Sequence, residues 1–149
     1  MFPRLADSFK MLTRDTARIV IGQSTSDHVI IERVSVPNNE RWFHASVSIR
    51  SAVWSGNLRA EFMAGELNRF GLEIERLYEE LRGTAELHPI EPFLEMTFEG
   101  DGRGHILVSG TACDRPGSGT RLVFEFELDQ TQLPKIAKAL VGADPEVHK

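Results

Sequence analysis

The feature that most constrains this 149-residue chain is a strict alternation of apolar and polar residues that returns in four separate stretches. Phe43, Ala45, Val47 and Ile49 alternate with Trp42, His44, Ser46 and Ser48, and Leu94, Met96 and Phe98 alternate with Glu95, Thr97 and Glu99. Ile106, Val108, Gly110 and Ala112 stand against His105, Leu107, Ser109 and Thr111, as Leu122, Phe124, Phe126 and Leu128 do against Arg121, Val123, Glu125 and Glu127. Successive side chains of a strand point to opposite faces, so each stretch has one oily and one wet face. One-sided strands belong to antiparallel sheets; parallel sheets covered on both faces read as continuous apolar runs.

Turn-rich segments punctuate these strands. Two earlier β-rich runs, 17–22 and 28–36, are separated from each other and from the run 41–51 by residues 23–27 and 37–40. After Arg50 the apolar register passes to Ala52, Trp54, Leu58, Ala60 and Phe62. A break is therefore expected at 51–57 and a short strand at 58–63, with Trp54 in the core. From Glu66 the period becomes helical through Leu67, Phe70, Ile74, Leu77, Tyr78 and Leu81, and Gly83 suits a C-terminal cap. A short strand at 84–87 leads to a turn at 88–92. A closing helix carries Leu133, Ile136, Ala137 and Leu140, with Asp129 or Thr131 as N-cap, Pro134 in the first turn and Gly142 beyond its end.

The expected fold is α+β: one domain over 1–149, with an antiparallel twisted sheet of seven or eight strands and two principal helices on one face. Residues 1–16, with Phe2, Leu5, Phe9 and Leu12 at helical spacing, read as an N-terminal docking helix, and residues 143–149 as a flexible tail. The spacing of Leu58, Phe62, Leu67, Phe70 and Ile74 recurs in Phe124, Leu128, Leu133, Ile136 and Leu140. Each set runs from a strand into a helix, which points to two meander-then-helix halves.

The single Cys113 forms no internal disulfide, the N-terminus lacks a continuous apolar secretory region, and no stretch reaches the length of a membrane span. A cytoplasmic protein without a membrane contact is expected. The net charge of −5 argues against a nucleic-acid partner, whose phosphates need concentrated Lys and Arg. The acidity is local: residues 61–101 hold eleven acidic and three basic side chains. A basic protein partner fits that distribution, which a solvated face also produces.

No nucleophile, zinc spacing or cofactor motif accompanies these patterns. The string Gly100-Asp101-Gly102-Arg103-Gly104 lies between strands and reads as a hairpin turn, since phosphate loops require a following helix. The chain is accordingly read as no enzyme, with no cofactor and no metal. Candidate partner-binding residues are Glu95, Glu99, Glu125 and Glu127 on one sheet face, His105 at its end and Trp42 on a polar register. Simple hairpin registers would set His105 between Glu99 and Glu127, as a surface charge cluster or, less simply, a metal or acid/base site. Trp42 either anchors a partner or lies beneath the N-terminal segment.

Four pieces between Trp42 and Leu140 carry a family resemblance. They are F-x-A-x-V-x-I at 43–49, A-E-F-M-A-G-E-L-N-R-F at 60–70, G-H-I-L-V-S-G at 104–110 and L-V-F-E-F-E-L-D-Q-T-Q-L at 122–133. In these the chain resembles the small bacterial immunity proteins of the WapI type. The resemblance implies a non-enzymatic cytoplasmic inhibitor that binds a toxin domain, and assigns no individual residue a role. A carrier with an apolar ligand pocket between sheet and helices is the alternative. Oligomeric state is left open by the sequence.

Overall fold

The computed structural model describes residues 18–145, so the docking helix expected at 1–16 lies outside the described residues. Strands β1 (Arg18–Gly22), β2 (His28–Arg33), β3 (Trp42–Ser51) and β4 (Trp54–Met63) form an antiparallel meander, followed by helix α1 (Glu66–Glu80). A second meander of β5 (Arg82–Leu87), β6 (Leu94–Asp101), β7 (His105–Cys113) and β8 (Arg121–Asp129) passes through a 3-10 turn (Gln130–Gln132) into helix α2 (Leu133–Ala143). Both halves therefore share one element order, and Leu58, Phe62, Leu67, Phe70 and Ile74 occupy the same places in the first as Phe124, Leu128, Leu133, Ile136 and Leu140 in the second.

The α+β class and antiparallel pairing match expectation, but the strands form two four-stranded sheets rather than one of seven or eight. The cause is the connection at α1. A 15-residue helix separates β4 from β5, and β5 pairs with β6 instead of continuing the first sheet. Alternation fixes the face of a strand and leaves its edge partner open. The helices pack on each other, α1 beside edge strand β5 and α2 beside edge strand β1, so the helix pair links the two sheet edges.

One apolar core joins all these elements. Ile19, Ile21, Val29, Ile31, Phe43, Val47 and Phe62 come from the first sheet; Leu94, Met96, Phe98, Ile106, Val108 and Phe124 come from the second. Phe70 of α1 meets Phe98 of β6 edge to face, with centroids 5.3 Å apart. Such a contact adds to the roughly 1.5–3 kcal/mol that burial of each large apolar side chain contributes. The space between helices and sheets, where a carrier would hold its ligand, is filled by Phe70, Ile74, Phe98 and Leu140.

The helices approach closely because residue 71 has no side chain. A Cβ on Gly71 would stand 3.0 Å from the Ala137 carbonyl oxygen and 3.0 Å from Val141 Cγ2. At its N-terminus α1 begins with Gly65 at φ 103°, which offers no side chain to cap the free N–H groups. Asp144, just past α2 and fully buried, supplies the cap: its carboxylate accepts the N–H of Gly65 at 2.8 and 2.9 Å and that of Asn68 at 2.8 Å. Glu66 accepts Met63 N–H at 2.7 Å through Oε1 and Ile90 N–H at 2.8 Å through Oε2, tying the helix start to the β5–β6 connection.

Several local expectations change. Leu81 in the left-handed region (φ 63°) ends α1, its N–H bonding Leu77 O, while Gly83 lies inside β5. Gly142 lies within α2, and Tyr78 is 43% exposed instead of joining the core stripe. Residues 143–145, assigned to a flexible tail, are buried. The break expected at 51–57 is a tight turn at Ala52 and Val53, and β4 begins directly at Trp54, which is 67% exposed. Trp54 keeps inner-face parity but stands at the hairpin end, where the opposing layer does not cover it.

Asp144→Ala is expected to lower unfolding free energy by about 2 kcal/mol, the scale of a lost cap with unsatisfied donors. Urea denaturation measures it, and Asp144→Asn, which retains an acceptor oxygen, should lose less. Gly71→Val should cost about 2 kcal/mol or more by forcing the helices apart.

Candidate functional site

The outer face of the second sheet is built by the polar register of β5 to β8. Glu86, Glu95, Glu99, Asp101, Glu125, Glu127 and Asp129 all project from it, against Arg82, His88, His105 and Arg121 as its basic or titratable side chains. Glu99, Glu125 and Glu127 are exposed, and Glu95 is partly buried. One cross-strand row reads Glu99, Leu107, Glu127; the next reads Thr97, Ser109, Glu125; a third reads Glu95, Thr111, Val123. The four predicted glutamates are therefore brought to one face.

Trp42 is not brought to that face. It pairs with Met63 in the first sheet and is partly buried. His105 does reach the acidic face, but both hairpin registers lie two residues from the simple ones. Glu99 pairs with Leu107 instead of His105, and His105 pairs with Asp129 instead of Glu127. A shift of two preserves the face and changes the neighbours. In the β6–β7 hairpin the three-residue loop Gly102-Arg103-Gly104, with Gly102 and Gly104 at positive φ, sets Asp101 beside His105, and in the β7–β8 hairpin the loop of residues 114–120 closes on the Cys113–Arg121 pair.

Asp101 organises that turn. Its Oδ1 accepts Arg103 N–H at 2.7 Å and His105 N–H at 3.2 Å, while Oδ2 lies 2.9 Å from His105 Nδ1. These bonds, led by the Arg103 N–H and followed by the imidazole, hold the Asp101 carboxyl at about 2. The same Asp101 bond raises the His105 imidazole above 6.5. Asp129 is lowered by the Thr131 hydroxyl and N–H, which it caps at the start of the 3-10 turn.

The imidazole that does lie between two carboxylates is His88, which the sequence reading left in a turn. Its Nδ1 is 3.2 Å from Glu95 and its Nε2 3.3 Å from Glu86. The hydrogen bond to Glu95 raises its pKa, against the opposing effect of desolvation. Its signal was available in principle: continuing the β5–β6 pairing one step beyond Leu87 and Met96 sets residue 88 opposite Glu95. Among the described residues, no three His, Cys, Asp or Glu side chains converge as metal ligands. No described helix is long and apolar enough to cross a membrane.

The site thus offers charge and shape. Protonated His88 and His105 weaken its negative field, and their deprotonation strengthens it. A raised folded-state pKa means that His105 pairing stabilises the fold fully below the unfolded value and that this contribution fades as pH rises through the folded value. In an NMR pH titration His105 should titrate above 6.5, and Asp101→Asn should bring it back toward 6.5; an unchanged midpoint would assign the shift elsewhere.

Comparison with known proteins agrees with this architecture. No curated protein matches the chain. The model of the Immunity protein WapI-like family matches residues 21–143, from the end of β1 to the last residue of α2. The match spans both meanders and both helices, and on that span the chain belongs to the WapI-like immunity protein family.

Proposed function

We propose that this protein is an immunity protein that neutralises a cognate toxin domain in the cytoplasm by binding it directly, with the acidic face of β6 to β8 as the contact. The observation that carries the reading is the gathering of Glu95, Glu99, Glu125 and Glu127 on one open sheet face of a WapI-like chain. An acidic face steers a basic protein toward it, raises the encounter rate and fixes orientation. The inhibitor needs no chemistry of its own: it covers the toxin's working surface. Leu107 and Val123 lie among the carboxylates and supply apolar contact within the charged surface.

The test is calorimetric titration of the protein with the toxin domain encoded next to its gene. Lysine at positions 95, 99, 125 and 127 together should weaken binding by roughly a hundredfold or more at low salt, mostly through slower association. Circular dichroism should be unchanged, because these side chains lie outside the core. Binding within twofold of the unaltered protein rejects the acidic-face contact.

A further inference from the structure

Two of the exposed apolar residues meet at one end of the acidic face. Trp54, the first residue of β4, is 67% exposed, and Val123, on the outer register of β8, is 77% exposed. Both line an open cleft of about 550 Å³ between the β3–β4 hairpin and the start of β8. Ile49 and Leu58 of the first sheet and Leu122 of the second form its apolar walls. Gly56 lies among them, with nothing within 4 Å of where its Cβ would stand. The volume falls in the range of roughly 300–1,000 Å³ typical of ligand pockets, ample for one large side chain.

The cleft is continuous with the charged surface. Val123 also borders a neighbouring groove of about 560 Å³ that Glu95, Glu125 and His88 line. Asp114 and Arg121 stand together at the cleft itself, opposite in sign, so the sign of the region is set by the glutamates next door. Contiguous exposed apolar residues mark interaction surfaces, and tryptophan in a pocket that a partner can seal from water is among the strongest anchors known.

We infer that this cleft receives a single apolar side chain of a protein partner, flanked in the partner's sequence by lysine or arginine. The side chain enters beside Trp54, and the flanking cations settle on Glu95 and Glu125. The inference rests on the acidic-face reading and adds the point where the partner is held. Charge decides the occupant: an acidic peptide or an anionic lipid surface would be repelled by the adjoining glutamates, and a second copy docking through this side would set like charges together.

The probe is a blocked pentapeptide with a central leucine and two lysines on each side, titrated to millimolar concentration into the full-length, nitrogen-15-labelled protein. The expected result is a saturable shift of the Trp54 indole and of the Leu122, Val123 and Glu125 amides. Peptides with serine at the centre, or glutamate in place of lysine, should give none. Gly56→Val, which fills the open space, and Trp54→Ser should each abolish the shifts while leaving the thermal transition in place. Absence of shifts, shifts confined to other surfaces, or equal shifts from the glutamate peptide would overturn the inference.

A second arm separates this outcome from that of the function proposed above. If the toxin domain binds, Trp54→Ser should weaken it at least about thirtyfold, the scale of an anchor residue. A toxin that binds both variants as tightly as the unaltered protein leaves the immunity reading standing and rejects the cleft. A toxin that does not bind at all, beside a peptide that shifts Trp54, rejects the reading and keeps the cleft.

Discussion

The buried carboxylate of Asp144 is the contact on which the relation between the two halves depends. It lies beyond the end of α2, yet it accepts hydrogen bonds from Gly65 and Asn68 at the start of α1. A helix N-terminus carries unsatisfied donors and the positive end of the helix dipole, so a carboxylate there is favoured on both counts. Water cannot substitute at a buried position, and the donors would be orphaned if α2 moved away. The second half therefore completes the helix of the first. With Gly71 allowing near contact between the helices, the pair is fixed in one arrangement, and α1 beside β5 and α2 beside β1 carry that arrangement to both sheets.

The legibility of this structure in its sequence follows from the range of each signal. Face assignment is local, and β3, β6, β7 and β8 bury the residues that alternation selected, with Gly110 and Leu122 only partly covered. Partner assignment is not local. The split into two sheets depends on which edge β5 meets, and nothing within residues 82–87 specifies it. Similarly, Asp144 reads as one acidic residue in a polar terminus, because its partners lie 79 and 76 residues away. Leu81 defeated the preference for glycine in the left-handed region because its N–H completes a bond to Leu77 and its carbonyl accepts Gly102 N–H at 2.9 Å, tertiary support that a cap rule does not see. At the candidate site the glutamates were legible as a set, while His88 was hidden by its turn and Trp54 by its apolar parity.

The acidic face also explains how a folded chain tolerates so many like charges. Glu99 and Glu127 lie on strands separated by β7, with Leu107 between them. Two strand spacings are about 9.6 Å, beyond the screening length of about 8 Å at physiological salt. Repulsion between those two is therefore modest; Glu125 and Glu127, two residues apart on β8, stand closer, at about 6.8 Å, and Arg82 and His88 beside the β5 edge offset part of the negative charge. On the reading proposed above, a partner presenting several cations would meet these carboxylates together.

Charge and apolar contact act on different parts of a binding reaction, and here they occupy adjoining regions of one surface. Long-range attraction governs how often and in what orientation partners meet, whereas desolvated apolar anchoring governs how long they stay. On the proposed reading the glutamates on β6 and β8 belong to the first group, and Trp54, Leu122 and Val123 to the second. Apart from Leu122, which packs against the core, these residues contribute little to it: the glutamates point away, and Trp54 and Val123 are largely exposed. On the proposed reading, substitution of the glutamates, Trp54 or Val123 would change recognition at small cost to folding, while Asp144, Gly71 and the shared core hold the scaffold constant.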